Sequence, residues 1–431
     1  MGVAFGDINH DGKLDVGAAS TAGIKVWTGN GMGAWAAALT GLPAFNSASI
    51  EFGDLNNDGS LDLVAGSWVG NGIQAWRGNG AGVWSAFPHP TASSNYYGLA
   101  LGDINNDGQL DLAGGNSGGG VQVWTDTGRA EELCTWVSAP WPTSTGDWFG
   151  VDVGDVNNDG NLDIAAAGKQ GVWIWGGDGG RSWTPMASPM TSGDVYGLDV
   201  GDINHDGWPD VLAGTVTHGL QLWAGNGGTA WTALPSPDTR SRFAHVDLGD
   251  FNNYGDLDIL ASDRDAGVKV WAGDGGRSWT PCTTGLPTTG KYYGAAWGHV
   301  DHDGALDLVV GHNNAGGVQV YTAAESAPPS GWSSFTPIGW QVTQQPTCTV
   351  QVSDAGSGLK VGTARYAFST DGGTSWSAWR VASCTGTDGT TTTQTITAAR
   401  VSFNQDSLTT TRWPSSNGMP PMTSWRNCAM A

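Results

Sequence analysis

The stretch Asp7-Ile8-Asn9-His10-Asp11-Gly12-Lys13-Leu14-Asp15 returns as Asp54-Leu55-Asn56-Asn57-Asp58-Gly59-Ser60-Leu61-Asp62, then from Asp103, Asp155 and Asp202, with altered copies from Asp250 and His299. Successive copies start 47, 49, 52, 47, 48 and 49 residues apart. A near-constant period of this length marks one supersecondary unit used seven times. Each unit reads alike. An apolar run such as Tyr97-Gly98-Leu99-Ala100-Leu101 enters the Asp-rich loop, and the short strand Leu110-Asp111-Leu112-Ala113-Gly114 leaves it. A Gly-rich link and the alternating strand Val121-Gln122-Val123-Trp124 follow. Turns such as Gly29-Asn30-Gly31 and Gly273-Asp274-Gly275 supply the positive φ of hairpins, and a last strand opens at a second Trp. Four short antiparallel strands per unit predict an all-β, seven-bladed β-propeller over residues 1–337.

The tryptophans keep the same period. One set closes the third strand (Trp27, Trp76, Trp124, Trp175, Trp223, Trp271, with Tyr321 in the seventh unit), and another opens the fourth (Trp35, Trp84, Trp136, Trp183, Trp231, Trp279, Trp332). Rings at fixed register are expected to pack between blades. The first copy begins at its first strand and the seventh ends at its fourth, so the ring is expected to close without an exchanged strand unless residues before Met1 supply one, and the sequence leaves this open.

Composition agrees. Of 431 residues 69 are Gly and 24 Trp, and charged residues are only 13%, which disfavours a helical bundle. Apolar residues at 39% disfavour disorder. The charge of −22 leaves no basic footprint for nucleic acid or anionic lipid, and no apolar run is long enough to span a bilayer. The chain opens on a strand-like run at Gly2, so either a leader has been removed or the protein is intracellular. Five scattered cysteines without a C-x-x-C pair indicate neither a zinc site nor a dense disulfide framework.

Beyond Ile338 the period stops. Residues 338–411 hold strand-like runs at Thr347–Val352, Ala364–Phe368 and Thr393–Ile396, and resemble a short immunoglobulin-like or fibronectin-like β-sandwich module. Residues 412–431 lose the alternation and carry Met419, Met422 and Met430; this tail reads as foreign or out of frame.

The repeated loop carries chemistry. Side-chain oxygens stand at positions 1, 3, 5 and 9, a Gly at 6 permits the bend, and the position 7 carbonyl is the natural further ligand, as in an EF-hand loop. Hard oxygen donors at convergent spacing select calcium. The expected ligands are Asp7, Asn9, Asp11, Lys13 and Asp15; Asp54, Asn56, Asp58, Ser60 and Asp62; Asp103, Asn105, Asp107, Gln109 and Asp111; Asp155, Asn157, Asp159, Asn161 and Asp163; and Asp202, Asn204, Asp206, Trp208 and Asp210. The sixth copy has Tyr254 at a ligand position and is expected to bind weakly or not at all. The seventh begins at His299 but offers Asp301, Asp303, the Ala305 carbonyl and Asp307. Five to seven structural calcium ions follow, and about half of the 40 acids sit in the seven loops, so the charge is largely a count of metal ligands rather than a statement about partners.

These residues resemble the FG-GAP or VCBS repeat family, known from integrin-α propellers and secreted bacterial proteins, and are similar to fungal lectins built as calcium-loaded seven-bladed propellers. The resemblance implies a secreted or cell-surface location and recognition of glycan or protein; it fixes no activity. Antiparallel connectivity puts the Asp-rich loops and the third-to-fourth turns on one face. The second-to-third links and blade connections form the other, where the copies differ. There stand Trp68, Tyr96, Tyr97, Trp148, Phe149, Tyr196, Tyr292 and Tyr293, rings suited to stacking on sugars or to plugging gaps between blades. Three functions stay open: a carbohydrate-binding propeller, a polysaccharide-degrading hydrolase or lyase, and a protein-binding adhesion module. For the enzyme, Asp263 with Asp265, or Asp147 with Asp194, are the candidate acid pairs, and Arg264, His312 and Tyr293 are the candidate lyase residues.

Overall fold

In the computed structural model, residues 2–323 are described apart from 39–40, 43, 128–133, 253, 283, 302–305 and 313–316; beyond them only the strands named below are described. The described residues form strands and turns, without a helix. Seven antiparallel sheets follow the seven sequence copies, each in simple chain order. Blade one is Val3–Gly6, Asp15–Ala18, Lys25–Gly29 and Trp35–Ala37. Blade three is Tyr96–Gly102, Asp111–Asn116, Gly120–Asp126 and Trp136–Ser138. The first strands of the other blades are Ser49–Gly53, Trp148–Gly154, Val195–Gly201, Phe243–Gly249 and Tyr292–Gly298, and all seven first strands line one central cavity.

The second strand is covered on both faces. Asp111–Asn116, Asp163–Gly168 and Asp210–Thr215 are buried at every position, so they read as runs of Ala, Gly and aliphatics rather than as alternation. Close approach of neighbouring first strands explains one inner glycine: a Cβ on Gly98 would lie 2.6 Å from the Phe149 carbonyl oxygen of the next blade.

Third-strand tryptophans meet the aromatic that opens the first strand of their own blade. Trp124 lies edge-on to Tyr96 (5.7 Å between centroids), Trp175 to Trp148 (5.4 Å) and Trp271 to Phe243 (6.1 Å). Outer tryptophans tie blade to blade through their indole N–H groups. Trp136 donates to the Pro88 carbonyl (3.0 Å), Trp183 to Pro140 (2.8 Å), Trp231 to Ala187 (2.7 Å) and Trp279 to Pro235 (2.9 Å). Large ring area and one satisfied polar tip are what such a position needs.

The ring closes by packing. Val3, Val16 and Ala18 of blade one form a core with Val309 of blade seven, bordered by Phe5, Trp27, Ala296 and Val318, and no strand is shared among the described residues.

Within 1–323 the seventh blade has three described strands, ending with Val318–Tyr321. Ser333–Thr336, expected from sequence as its fourth strand, pairs instead with Cys348–Val352. The second compact unit comprises Asn252–Gly255, Asp303–Ala305 and Ala324–Ala431. Its described strands form two four-stranded sheets, one containing Ser333–Thr336, Cys348–Val352, Ser383–Thr385 and Gln394–Ala398, the other Arg365–Ser369, Arg380–Val381, Thr410–Trp413 and Ala429–Met430. Most of the expected sandwich and tail lies outside the described residues.

Candidate functional site

Each Asp-rich loop is built by its own side chains. Asp7 accepts the N–H groups of Asp11 (3.1 Å) and Gly12 (2.9 Å), Asn9 accepts Asp11 N–H (2.9 Å), and Asp11 accepts Lys13 N–H (3.0 Å). The loops at Asp54, Asp103, Asp155 and Asp202 repeat these bonds. Position 4 takes positive φ (His10 57°, Asn57 53°, Asn106 59°, Asn158 56°, His205 61°), which explains why it is Asn or His in all five copies. Those same residues reach the next loop: Asn57 donates to the Gly108 carbonyl (3.2 Å) and Asn158 to that of Gly207 (2.8 Å).

Position 9 does something the sequence did not disclose. Asp15, Asp62, Asp111, Asp163, Asp210, Asp258 and Asp307 are all 0% exposed, and each carboxylate clamps two backbone N–H groups across its blade. Asp62 takes Leu55 N–H (3.1 Å) and Gly78 N–H (2.9 Å); Asp258 takes Phe251 (2.9 Å) and Gly273 (2.8 Å). The clamp persists in blades six and seven, where Tyr254 and His299 replace ligands of the other copies. Burial pushes Asp62 and Asp111 up to about 7 and Asp15, Asp163 and Asp210 up to about 6, with the charges of other loop acids adding, chiefly those at positions 5 and 1. Acids crowded this closely, with an Asn oxygen and a carbonyl beside them, form a donor set that suits a hard cation. Acids alone do not suffice: among the described residues no three Asp, Glu, His or Cys side chains form a metal site by themselves. In the second loop Arg77 binds Asp58 (Nε 3.1 Å), and this pairing overrides burial and holds the carboxyl below its ordinary range. Asp303 and Ala305 lie outside the described residues.

On the opposite face the central cavity opens with a volume of about 880 Å³. An arc of rings crosses its mouth from blade three to blade seven. Tyr97 meets Phe149 edge-on (5.5 Å), Phe149 stacks on Tyr196 (4.6 Å, 15° between planes), and the Arg264 guanidinium lies 4.7 Å from the Tyr196 ring and 5.3 Å from that of Tyr293. Phe149 and Tyr196 thus spend ring faces on each other. Tyr97 and Tyr293, at the two ends, line the cavity together with Trp68, which is 40% exposed, and Thr21.

The other expected ligand rings are core. Tyr96 is 1% exposed, Trp148 3% and Tyr292 3%; they fill blade interiors, with the hydroxyls of Tyr96 and Tyr292 bonded to Gln122 and Gln319. Their register, one residue before the mouth-facing ring, turns them inward. Of the catalytic candidates, only Arg264 and Tyr293 meet at the mouth. Asp263 is 2% exposed, accepts the N–H groups of Asp265 (2.8 Å) and Ala266 (3.1 Å), and lies 3.4 Å from Lys269, while Asp265 pairs with Arg242 (3.0 Å). Asp147 is bound by Lys169 (2.7 Å) and Ser117 (2.8 Å). His312 packs edge-on to Tyr292 (4.8 Å).

Below the arc lies a ladder of acids not foreseen from sequence: Glu51, Asp152, Asp199 and Asp247 line the cavity. All four sit three residues before the first Asp of their loops, a register coincidence that was readable. Asp199 accepts Leu248 N–H (2.6 Å) and Asp247 accepts Trp297 N–H (3.1 Å), so these acids staple each inner strand to the next. Burial pushes Glu51 and Asp152 up to about 8, with a neighbouring acid adding in each case. Asp199 is held well above the ordinary range by burial and by Asp247, which is itself pushed up to about 7 by burial. His245, one ring among the glycines at its register, is pushed down to about 4 by burial.

Comparison with solved structures gives distant likenesses. An Agrocybe aegerita lectin, described as recognising non-reducing terminal N-acetylglucosamine, is 18% identical with a TM-score of 0.46, covering 65% of this chain and 78% of that one. BBS1N in complex with ARL6DN is 13% identical with a TM-score of 0.51, covering 75% and 92%. The computationally designed Ika8 protein is 14% identical with a TM-score of 0.45, covering 74% and 82%. A comparison with curated proteins gives no match. The model of the FG-GAP-like repeat matches residues 7–65, 103–166, 155–213, 202–261 and 250–310, more than half of the chain. With its repeated loops and seven blades, the chain belongs to the FG-GAP-like repeat family.

Proposed function

We propose that this propeller is a secreted, calcium-stabilised module that binds carbohydrate at the mouth of its central cavity. The observation that carries the reading is the mouth itself: a cavity of about 880 Å³ lined by Trp68, Tyr97 and Tyr293 together with Thr21 and Arg264. Aromatic faces with hydrogen-bonding groups nearby suit sugars, which offer C–H faces and hydroxyls, and the volume falls in the range of small-molecule sites. Calcium enters through the Asp-rich loops. Asp7, Asn9, Asp11, the Lys13 carbonyl and Asp15, with their equivalents in blades three to five, supply the donors, and the ion would offset the repulsion among buried carboxylates. Blade two would bind less well because Arg77 occupies Asp58. Loops with extracellular-type affinities of about 10⁻⁴ to 10⁻³ M fill only outside the cell, which supports secretion.

Recognition without turnover is the favoured reading, because Asp263, Asp265 and Asp147 are engaged with Lys269, Arg242 and Lys169, and neither these acids nor Asp194 are among the residues that line the cavity. A glycan array run beside a reducing-sugar assay on a polysaccharide panel, with and without chelator, tests this. Binding without new reducing ends supports the module; new reducing ends would replace it with an enzyme.

A further inference from the structure

Arg264 stands on the second-to-third link of blade six, with its backbone N–H fixed to the Arg242 carbonyl (2.8 Å). The two acids beside it in sequence are committed elsewhere, Asp263 to Lys269 and to backbone N–H groups, Asp265 to Arg242. The guanidinium is half-buried against Tyr196 and Tyr293, and no carboxylate pairs with it among the described residues. Guanidinium has five N–H donors in a rigid planar fork, and two ring faces do not satisfy them. In a chain with a charge of −22, a half-buried cation held by ring faces inside a cavity stands out. Such a group is costly to desolvate unless an anion completes it. The neighbouring rim charges, Lys169 and Asp147, neutralise each other.

We infer that Arg264 makes the mouth selective for carboxylated sugars, its fork receiving the carboxylate of a uronic-acid residue. Planar bidentate geometry favours a carboxylate over a hydroxyl at this position. A sugar stacked on Tyr293 would lie beside a guanidinium already 5.3 Å from that ring. The inference rests on the glycan-binding reading and adds the chemical class.

The test uses the full chain in calcium and titrates short galacturonic-acid oligomers, their methyl esters and a sulfated oligosaccharide of equal length. Wild type is expected to bind the acids at least tenfold more tightly than the esters. Arg264→Ala should lose about 10- to 100-fold for the acids while changing ester binding less than twofold. Arg264→Lys should recover only part, because it restores charge without the fork. If Arg264→Ala does not fold, wild type at low and high salt decides: acid binding should weaken with salt and ester binding should not. Equal binding of acids and esters would overturn the inference and leave the glycan reading standing. Preference for the sulfated probe over the uronates would overturn the carboxylate assignment, and binding to no glycan would overturn both readings.

Discussion

Replacing Asp62 by Ala should cost the propeller several kcal/mol even when no metal is present. The carboxylate is fully buried and accepts N–H groups from Leu55 at 3.1 Å and Gly78 at 2.9 Å, so it joins the loop to the third strand. Alanine leaves two buried donors without partners, at about 1–3 kcal/mol each, or roughly 2–6 kcal/mol together. Asn keeps one acceptor but turns an amide N–H₂ toward the other donor, so Asp62→Asn should cost about half as much. Urea unfolding followed by tryptophan fluorescence in excess chelator measures this clamp alone. Repeating it in calcium should enlarge the penalty by less than about 1 kcal/mol, since one loop ligand has also gone from a loop that Arg77 already weakens. A loss below about 0.5 kcal/mol in chelator would refute the clamp. A penalty seen only in calcium would mean that Asp62 acts solely as a metal ligand.

Other outcomes follow from the same geometry. For wild type, adding about 2 mM calcium to loops of extracellular-type affinity should contribute roughly 1 kcal/mol per filled site, so chelator should lower the melting temperature visibly; an unchanged melt would count against structural calcium. Channel acids have folded pKa values above their unfolded ones, so their stabilising contribution is full at acid pH and is lost as pH rises through about 7 to 8. For Glu51 the span from 4.5 to about 8 sets a ceiling near 5 kcal/mol, reduced by water in the cavity to about 1–3 kcal/mol. At constant calcium, Glu51→Gln should therefore stabilise the protein at pH 8.5 and leave pH 5 nearly unchanged; an equal effect at both would show that the group does not titrate there. Tyr196→Ala removes a ring held between Phe149 and Arg264 and should cost about 1–3 kcal/mol in urea unfolding, and a neutral result would mean the arc is loose.

The blades were legible because the loop, the paired glycines and the two Trp registers recur at one period, so local and global preferences agree. Which face each ring takes was less legible. Tyr96 and Tyr97 are adjacent and chemically alike, yet one residue of register sends the first into the core and the second to the mouth. Position 9 was read only as a ligand, because its clamp runs to N–H groups such as that of Gly78, sixteen residues away, which no local motif announces. The acid ladder escaped for a related reason. Glu51 or Asp199 in an apolar strand reads as a solvent-facing alternation, and only ring closure turns that face into a cavity.

The claim that the mouth recognises carbohydrate is tested most directly by titrating one glycan from the array hits against wild type, Trp68→Ala and Tyr293→Ala. Trp68 and Tyr293 line the cavity, and their loss should not disturb the core. The account predicts at least a tenfold loss of affinity in each variant, with melting temperatures close to wild type. Binding that survives both substitutions, or no glycan bound by wild type in calcium, would contradict it.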